Sequence, residues 1–252
     1  MALLLRWAGV GWVGAISEDY PGSLLDLRHR VSGDPPEAER ALSLATAAGG
    51  ALPVGDDGRL AVRPPAPGVT DRARDLLGDL PPGSYVVVHP GTSVPARAWP
   101  AQRHAETVAL LSSDGWPVVV TGGPGDEALT AAVAGAVGLD LGGRTDLELL
   151  AVILAWAAAV VVGNTGPAHL AAAVRTPVVS LFAPTVPAQR WAPYGVPLEL
   201  LGDQQADCRA TRAAVCPVPG HPCLTSVPAS AAVAAVRRLA ITGKPDQLEV
   251  TR

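Results

Sequence analysis

The segment VVVGNTGPAHL, residues 160–170, constrains this chain more than any other. Three consecutive valines favour a buried strand, and Gly163 lets the backbone turn sharply. Asn164 or Thr165 can cap the helix that follows, with Pro167 in its first turn, where a missing N–H costs nothing. Such a helix start, beside a glycine that permits close approach, presents free backbone N–H groups and a positive dipole end. That combination suits an anion, and a phosphate is the usual guest. The same residues also describe an ordinary strand–helix joint of an α/β domain, so the surrounding chain decides between the two.

From residue 85 onward the chain repeats this grammar. YVVVH (85–89), PVVVT (117–121), AVVVG (159–163) and PVVSLF (177–182) read as short buried strands, with a short strand at 139–141 and the apolar LELL at 198–201. Helices are predicted over about 100–113, 127–137, 146–157, 167–174 and 228–240. Short β-rich runs alternating with helices predict a parallel sheet covered on both faces, a doubly wound α/β domain spanning 81–252. Residues 1–80 lack this alternation. They hold an amphipathic helix at 37–48, a second near 71–80, a loop-like LLDLRHRV at 24–31 and the proline-rich RPPAPG, and read as the tail of another domain plus a linker.

Composition narrows the classes. At 48% hydrophobic and 17% charged residues the chain is globular, and a net charge of −4 offers no basic field for nucleic acid. The longest apolar run, residues 149–162, is too short to span a bilayer, and MALLLRWAGVGWVG does not read as a signal peptide. A cytoplasmic protein is expected. Cys208, Cys216 and Cys223 form no even set for disulfides. With His221 they make a zinc site conceivable, but their spacing lacks paired CxxC units and favours a proline-rich loop with free thiols, so no metal is expected.

In doubly wound sheets, ligands bind beyond the carboxyl ends of the strands. The loops at 89–98, 121–127, 163–169 and 183–190 lie there, all rich in Gly, Pro, Thr and Ser. Thr92 and Ser93 bring hydroxyls and backbone N–H groups that can cradle a diphosphate, and Arg97 a guanidinium that can clamp it. Gly122-Gly123 permits close backbone approach ahead of Asp126 and Glu127. A carboxylate there can accept from ribose hydroxyls or simply complement a helix dipole. His169 can donate to a phosphate or pack on the sheet. The 121–127 loop has no GxGxxG, and no Walker, GxSxG or HExxH pattern occurs in the chain.

Taken together, HPGTSVPARAWP, TGGPGDE and VVVGNTGPAHLAAAVRTPVVSLFAPT resemble glycosyltransferase family 9, the ADP-heptose:lipopolysaccharide heptosyltransferases. The likeness covers about 85–240, and YPGSLLDLRHRV (20–31) with EAERALSLATAAG resembles the end of that family's first domain. It implies a GT-B architecture, two Rossmann-like domains with the nucleotide sugar on the second. By motif, Thr92 and Ser93 match positions that hold the donor phosphates, and Arg97 falls where a lysine often precedes Trp-Pro. Asp126 matches a ribose-contacting acid, and Leu147 sits near the base slot. Asn164, Thr165, Gly166 and His169 match an Asp-Thr-Gly-x-x-His signature.

Two departures stand out. Asn164 replaces an acid expected to bind the donor sugar, so the sugar can differ from heptose. The family's first strand and the Gly-Asp loop that carries its general base have no counterpart in these residues, which reads as truncation at the N-terminus. The resemblance implies inverting, metal-independent and cofactor-free transfer of a heptose or hexose from an ADP-linked donor to a glycan or glycolipid acceptor. Arg97 would then stabilise the leaving group. It also admits a partner chain supplying the acceptor domain and contact with the inner face of the membrane. The alternatives are a non-catalytic nucleotide-sugar-binding chain and another GT-B enzyme such as an epimerase.

Overall fold

A computed structural model describes residues 1–18 and 22–242, with backbone only for 241 and 242. Tyr20 and Pro21, the start of the YPGSLLDLRHRV motif, lie outside the described residues. The chain divides into two units, one formed by Met1–Arg59 with Gln189–Trp191, the other by the remainder from Leu60.

The smaller unit contains α1 (Ala2–Trp7), β1 (Gly14–Ile16), β2 (Leu27–His29) and α2 (Glu37–Ala47). β1 and β2 pair in parallel, Gly14 opposite Leu27 and Ile16 opposite His29. The loop expected at 24–31 therefore contains a strand. LRH has no alternating pattern of its own, and only its nonlocal pairing with GAI makes it β.

The larger unit follows the predicted grammar. It contains α3 (Val69–Leu77), β3 (Val86–His89), α4 (Ala101–Ser113), β4 (Val118–Gly122), α5 (Glu127–Ala134), β5 (Leu139–Gly142), α6 (Leu147–Ala155), β6 (Ala159–Gly163), α7 (Gly166–Ala173) and β7 (Val178–Leu181). The short α8 (Ala188–Trp191) follows, all but its first residue counted with the smaller unit, and β8 (Leu198–Leu201), the short α9 (Pro222–Thr225) and α10 (Ala229–Thr242) complete the larger unit. Its six strands are all parallel in the order β5-β4-β3-β6-β7-β8. The four central strands are buried but for Gly163 at the end of β6, while β5 and β8, at the edges, are largely half-buried.

Alternate strand residues feed two cores. Val86, Val88, Val118, Val120, Val161 and Leu181 pack with Val108 and Leu111 of α4 and Val233 and Val236 of α10. Val87, Val119, Val160, Val162 and Val178 pack on the opposite face with Leu149 and Ile153 of α6 and Ala171 of α7. Valine runs need no polar alternation because helices dry both faces. The buried Tyr85 hydroxyl, which cannot go unpaired there, donates to the Ile153 carbonyl at 2.6 Å.

The second core also corrects the expected boundary at residue 80. Val69, Ala73 and Leu77 of α3 belong to it, so the segment from Leu60 clusters with the sheet. β3 leads outward through β4 to β5, and the chain then returns to β6 beside β3 and continues to β8. The strand order thus reverses between β3 and β6, the topological switch point where such sheets bind ligands.

Candidate functional site

The switch point opens into a cleft of about 480 Å³. The loop after β3 brings His89, Gly91, Thr92 and Ser93 to its wall, and the loop after β4 brings Gly122, Gly123, Pro124 and Asp126. Thr145, Asp146, Leu147 and Leu150 line it as well, as do Thr165, Gly166 and Pro167 of the α7 start. Of the residues singled out from the sequence, Thr92, Ser93, Asp126, Leu147, Thr165 and Gly166 converge here. Arg97, Asn164 and His169 do not line the cleft and form a group beside it.

Each wall has a local cause. Thr92 Oγ1 accepts from the Val94 amide at 3.2 Å, which shapes the loop, while Ser93 next to it is exposed. Asp126 does not cap α5 with its side chain. Its Oδ2 turns back and accepts from the Gly123 amide at 2.9 Å. That carboxylate fills the space beside Gly91, where an added Cβ would lie 2.4 Å from Oδ2. A side chain at position 91 would have to displace that carboxylate. Glu127 accepts from the Gly125 amide at 3.0 Å, and its own amide first, then that of Gly125, holds the carboxyl below its usual range. Of the two acids, Asp126 lines the cleft and Glu127 does not.

Leu147, 71% exposed at the first position of α6, offers an apolar surface at the cleft, with Leu150 beneath it. Asp146 caps α6 by accepting from the Leu149 amide at 2.8 Å, and this bond, reinforced by Arg72, lowers its carboxyl pKa. At the α7 start Thr165 holds the N-cap position, but its hydroxyl makes no capping bond to the helix, so the first amides are not covered by that side chain.

Arg97 ends a single 3-10 turn, Pro95–Arg97, and its Nη1 donates to the Asn164 carbonyl at 3.2 Å. Its Nε and the Asn164 Nδ2 are both buried without a hydrogen-bond partner among the described residues. His169 is half-buried, its pKa lowered by burial and by the Arg97 charge, so at neutral pH it stands as a neutral ring. The group is rich in unsatisfied donors, and with the α7 N-terminus it favours negative charge.

His89, Thr145, Asp146 and Leu150 also line the cleft and carry no site motif in the sequence. His89 is the last residue of β3, and that position at the carboxyl end of a central strand is the signal that could have found it. It is 7% exposed, its Nδ1 meets Thr121 Oγ1 at 3.0 Å, and burial lowers its pKa to about 4 against the opposing effect of Asp126. Among the described residues no group of three or more His, Cys, Asp or Glu is placed to hold a metal ion.

Gly91→Ala tests the close fit. Its methyl group should push the Asp126 carboxylate off the Gly123 amide and weaken nucleotide binding about three- to tenfold, the span of one hydrogen bond. Calorimetric titration reads this directly, and wild-type affinity would show that the Asp126 position does not matter to the ligand.

A doubly wound parallel sheet with a cleft of hydroxyls, glycines and a helix start at its switch point defines a domain of the Rossmann-like class. The chain belongs to glycosyltransferase family 9 (heptosyltransferase), whose family model matches residues 3–221. It is similar to lipopolysaccharide heptosyltransferase 1 of Pseudomonas aeruginosa, 36% identical over 117 residues covering 45% of this chain and 33% of that protein. The chain thus spans about a third of the curated relatives it matches, 34% in another case. Among solved structures it resembles a family 9 glycosyl transferase from Veillonella parvula, with TM-score 0.78 and 16% identity over 96% of this chain and 71% of that one. It also resembles the ADP-heptose lipopolysaccharide heptosyltransferase II of Escherichia coli, with TM-score 0.70 and 21% identity over 96% and 73%. These likenesses place the fold among the GT-B heptosyltransferases.

Proposed function

We propose that this chain binds an ADP-linked sugar, a heptose or a hexose, and takes part in its transfer to a glycan or glycolipid acceptor of lipopolysaccharide-core type. The observation that carries the reading is the convergence of Thr92, Ser93, Asp126, Leu147, Thr165 and Gly166 on one cleft at the switch point. The names of the relatives supply the donor and acceptor classes. Leu147 and Leu150 suit the flat face of a base, Asp126 a ribose diol, and the hydroxyls of Thr92 and Ser93 with the α7 amides a diphosphate.

In the reaction, the acceptor hydroxyl attacks the anomeric carbon from the face opposite the diphosphate. The carbon–oxygen bond to the diphosphate breaks, and the configuration inverts. The departing diphosphate gathers negative charge, which the α7 N-terminus and Arg97 stabilise without a metal ion. The acceptor proton passes to a general base on an acceptor-side domain, to which residues 1–59 belong and to which a partner chain can contribute. The site works in the cytoplasm, at the inner face of the membrane where a glycolipid acceptor is presented. No described helix is long and apolar enough to cross a membrane.

Calorimetry of the chain with ADP, UDP, GDP and NAD tests the donor. Selective binding of ADP is expected. Binding of NAD alone would overturn the reading, and selective binding of UDP or GDP would reassign the base.

A further inference from the structure

We infer that His221 is a positioning residue for Arg97, and that the cysteine-containing segment 203–223 is the brace of the Arg97 turn. The inference rests on the role proposed for Arg97 at the diphosphate. The turn is held through its middle residue, Ala96, which is fully buried. The Ala96 amide donates to the Ala214 carbonyl at 2.9 Å, and the Ala96 carbonyl meets His221 Nε2 at 3.1 Å. A carbonyl can only accept, so Nε2 carries the hydrogen. Just beyond the turn, Trp99 Nε1 donates to the Val227 carbonyl at 3.2 Å. Residues 96–99 are therefore clamped by chain more than 110 positions downstream.

His221 is itself firmly set. Its amide donates to Val218, and its carbonyl accepts from the amides of Leu224 and Thr225 at 3.2 and 3.1 Å. The neighbouring Cys223 and Leu224 are buried in the core. Ala210, Arg212 and His221 all adopt left-handed backbone conformations, with φ of 60°, 55° and 52°, which residues other than glycine avoid unless held. Here they are held: the amides of Ala210 and Arg212 donate to the carbonyls of Pro184 and Thr185 at 2.9 and 2.8 Å. The cysteines serve this packing. Cys216 Sγ donates to the Val218 carbonyl, and burial pushes the Cys223 thiol up to about 12, so it stays protonated. With Nε2 of His221 spent on Ala96, the segment is a strut.

His221→Asn tests this cleanly, because asparagine tolerates the left-handed backbone but is too short to reach Ala96. ADP affinity should fall about three- to tenfold, the span of one hydrogen bond, while adenosine affinity stays the same. In an Arg97→Ala background the same change should cost nothing further, and His221→Gln, whose longer amide can donate to Ala96, should restore affinity. Equal losses in both backgrounds, or no loss at all, would overturn the assignment. Amide exchange gives an arm independent of ligand: His221→Asn should speed exchange at 96–98 with global stability unchanged. Unchanged exchange there would refute the brace even if ADP binds. If the wild type fails to bind ADP, the donor reading falls while this arm still decides the brace.

Discussion

Acidification from pH 6.5 to pH 5 should remove about 3 kcal/mol of folding stability, a large share of the roughly 5–15 kcal/mol typical of a domain. Two buried histidines are the cause. Burial lowers the pKa of His89 to about 4 and that of His104 to about 3, from an ordinary 6.5. They also lie close enough for the charge of one to disfavour the charge of the other. Both are depressed on folding, so below pH 6.5 the unfolded chain takes up protons that the folded chain refuses. The stability they allow is complete above pH 6.5 and is lost as pH falls, by about 1.4 kcal/mol per pH unit for each ring. His169, lowered in the same direction, adds to the slope. Urea unfolding at several pH values measures it. His104→Phe keeps an aromatic edge against Trp99, which His104 meets at 4.8 Å and 80°, and gives up no bond at Nδ1, which has no partner among the described residues. It should cut the slope by about half between pH 6.5 and 5. An unchanged slope would mean that burial does not keep the His104 ring neutral.

How far this molecule could be read from its sequence follows from where its interactions are local. The strands at 86–89, 118–122, 159–163 and 178–181 were legible because valine runs flanked by helices can be dry on both faces, and their burial is close to complete. β2 was not legible, since Leu27, Arg28 and His29 become a strand only through β1. The boundary moved to residue 59 because Val69, Ala73 and Leu77 spend their apolar face on the sheet, a partner that an amphipathic pattern does not name.

The same distinction runs through the site. Thr92, Asp126, Leu147 and Gly166 each lie just past a strand or at a helix start, so their convergence follows from topology. Arg97, Asn164 and His169 have the right neighbours in sequence yet stand off the cleft wall, and the 3-10 turn that carries Arg97 is clamped from behind through Ala96 and Trp99. The tie of His221 to Ala96 spans 125 residues and leaves no local trace in the sequence.

Arg97→Ala should weaken ADP binding about 10- to 100-fold, the range for losing charge-assisted hydrogen bonds, and leave adenosine binding nearly untouched. The guanidinium has two means of acting from its place beside the cleft. It carries a charge near the α7 N-terminus, strong enough to depress His169, and through Nη1 it ties down the Asn164 carbonyl at the turn into α7. Arg97→Lys separates them, because lysine keeps the charge but lacks the planar fork. If the field dominates, Arg97→Lys should retain most of the ADP affinity, with a dependence on salt like the wild type's. If the tie to Asn164 dominates, Arg97→Lys should resemble Arg97→Ala. A third result, equal loss of ADP and adenosine in Arg97→Ala, would remove Arg97 from the diphosphate end altogether. The phosphates would then rest on Thr92, Ser93 and the uncovered α7 amides alone.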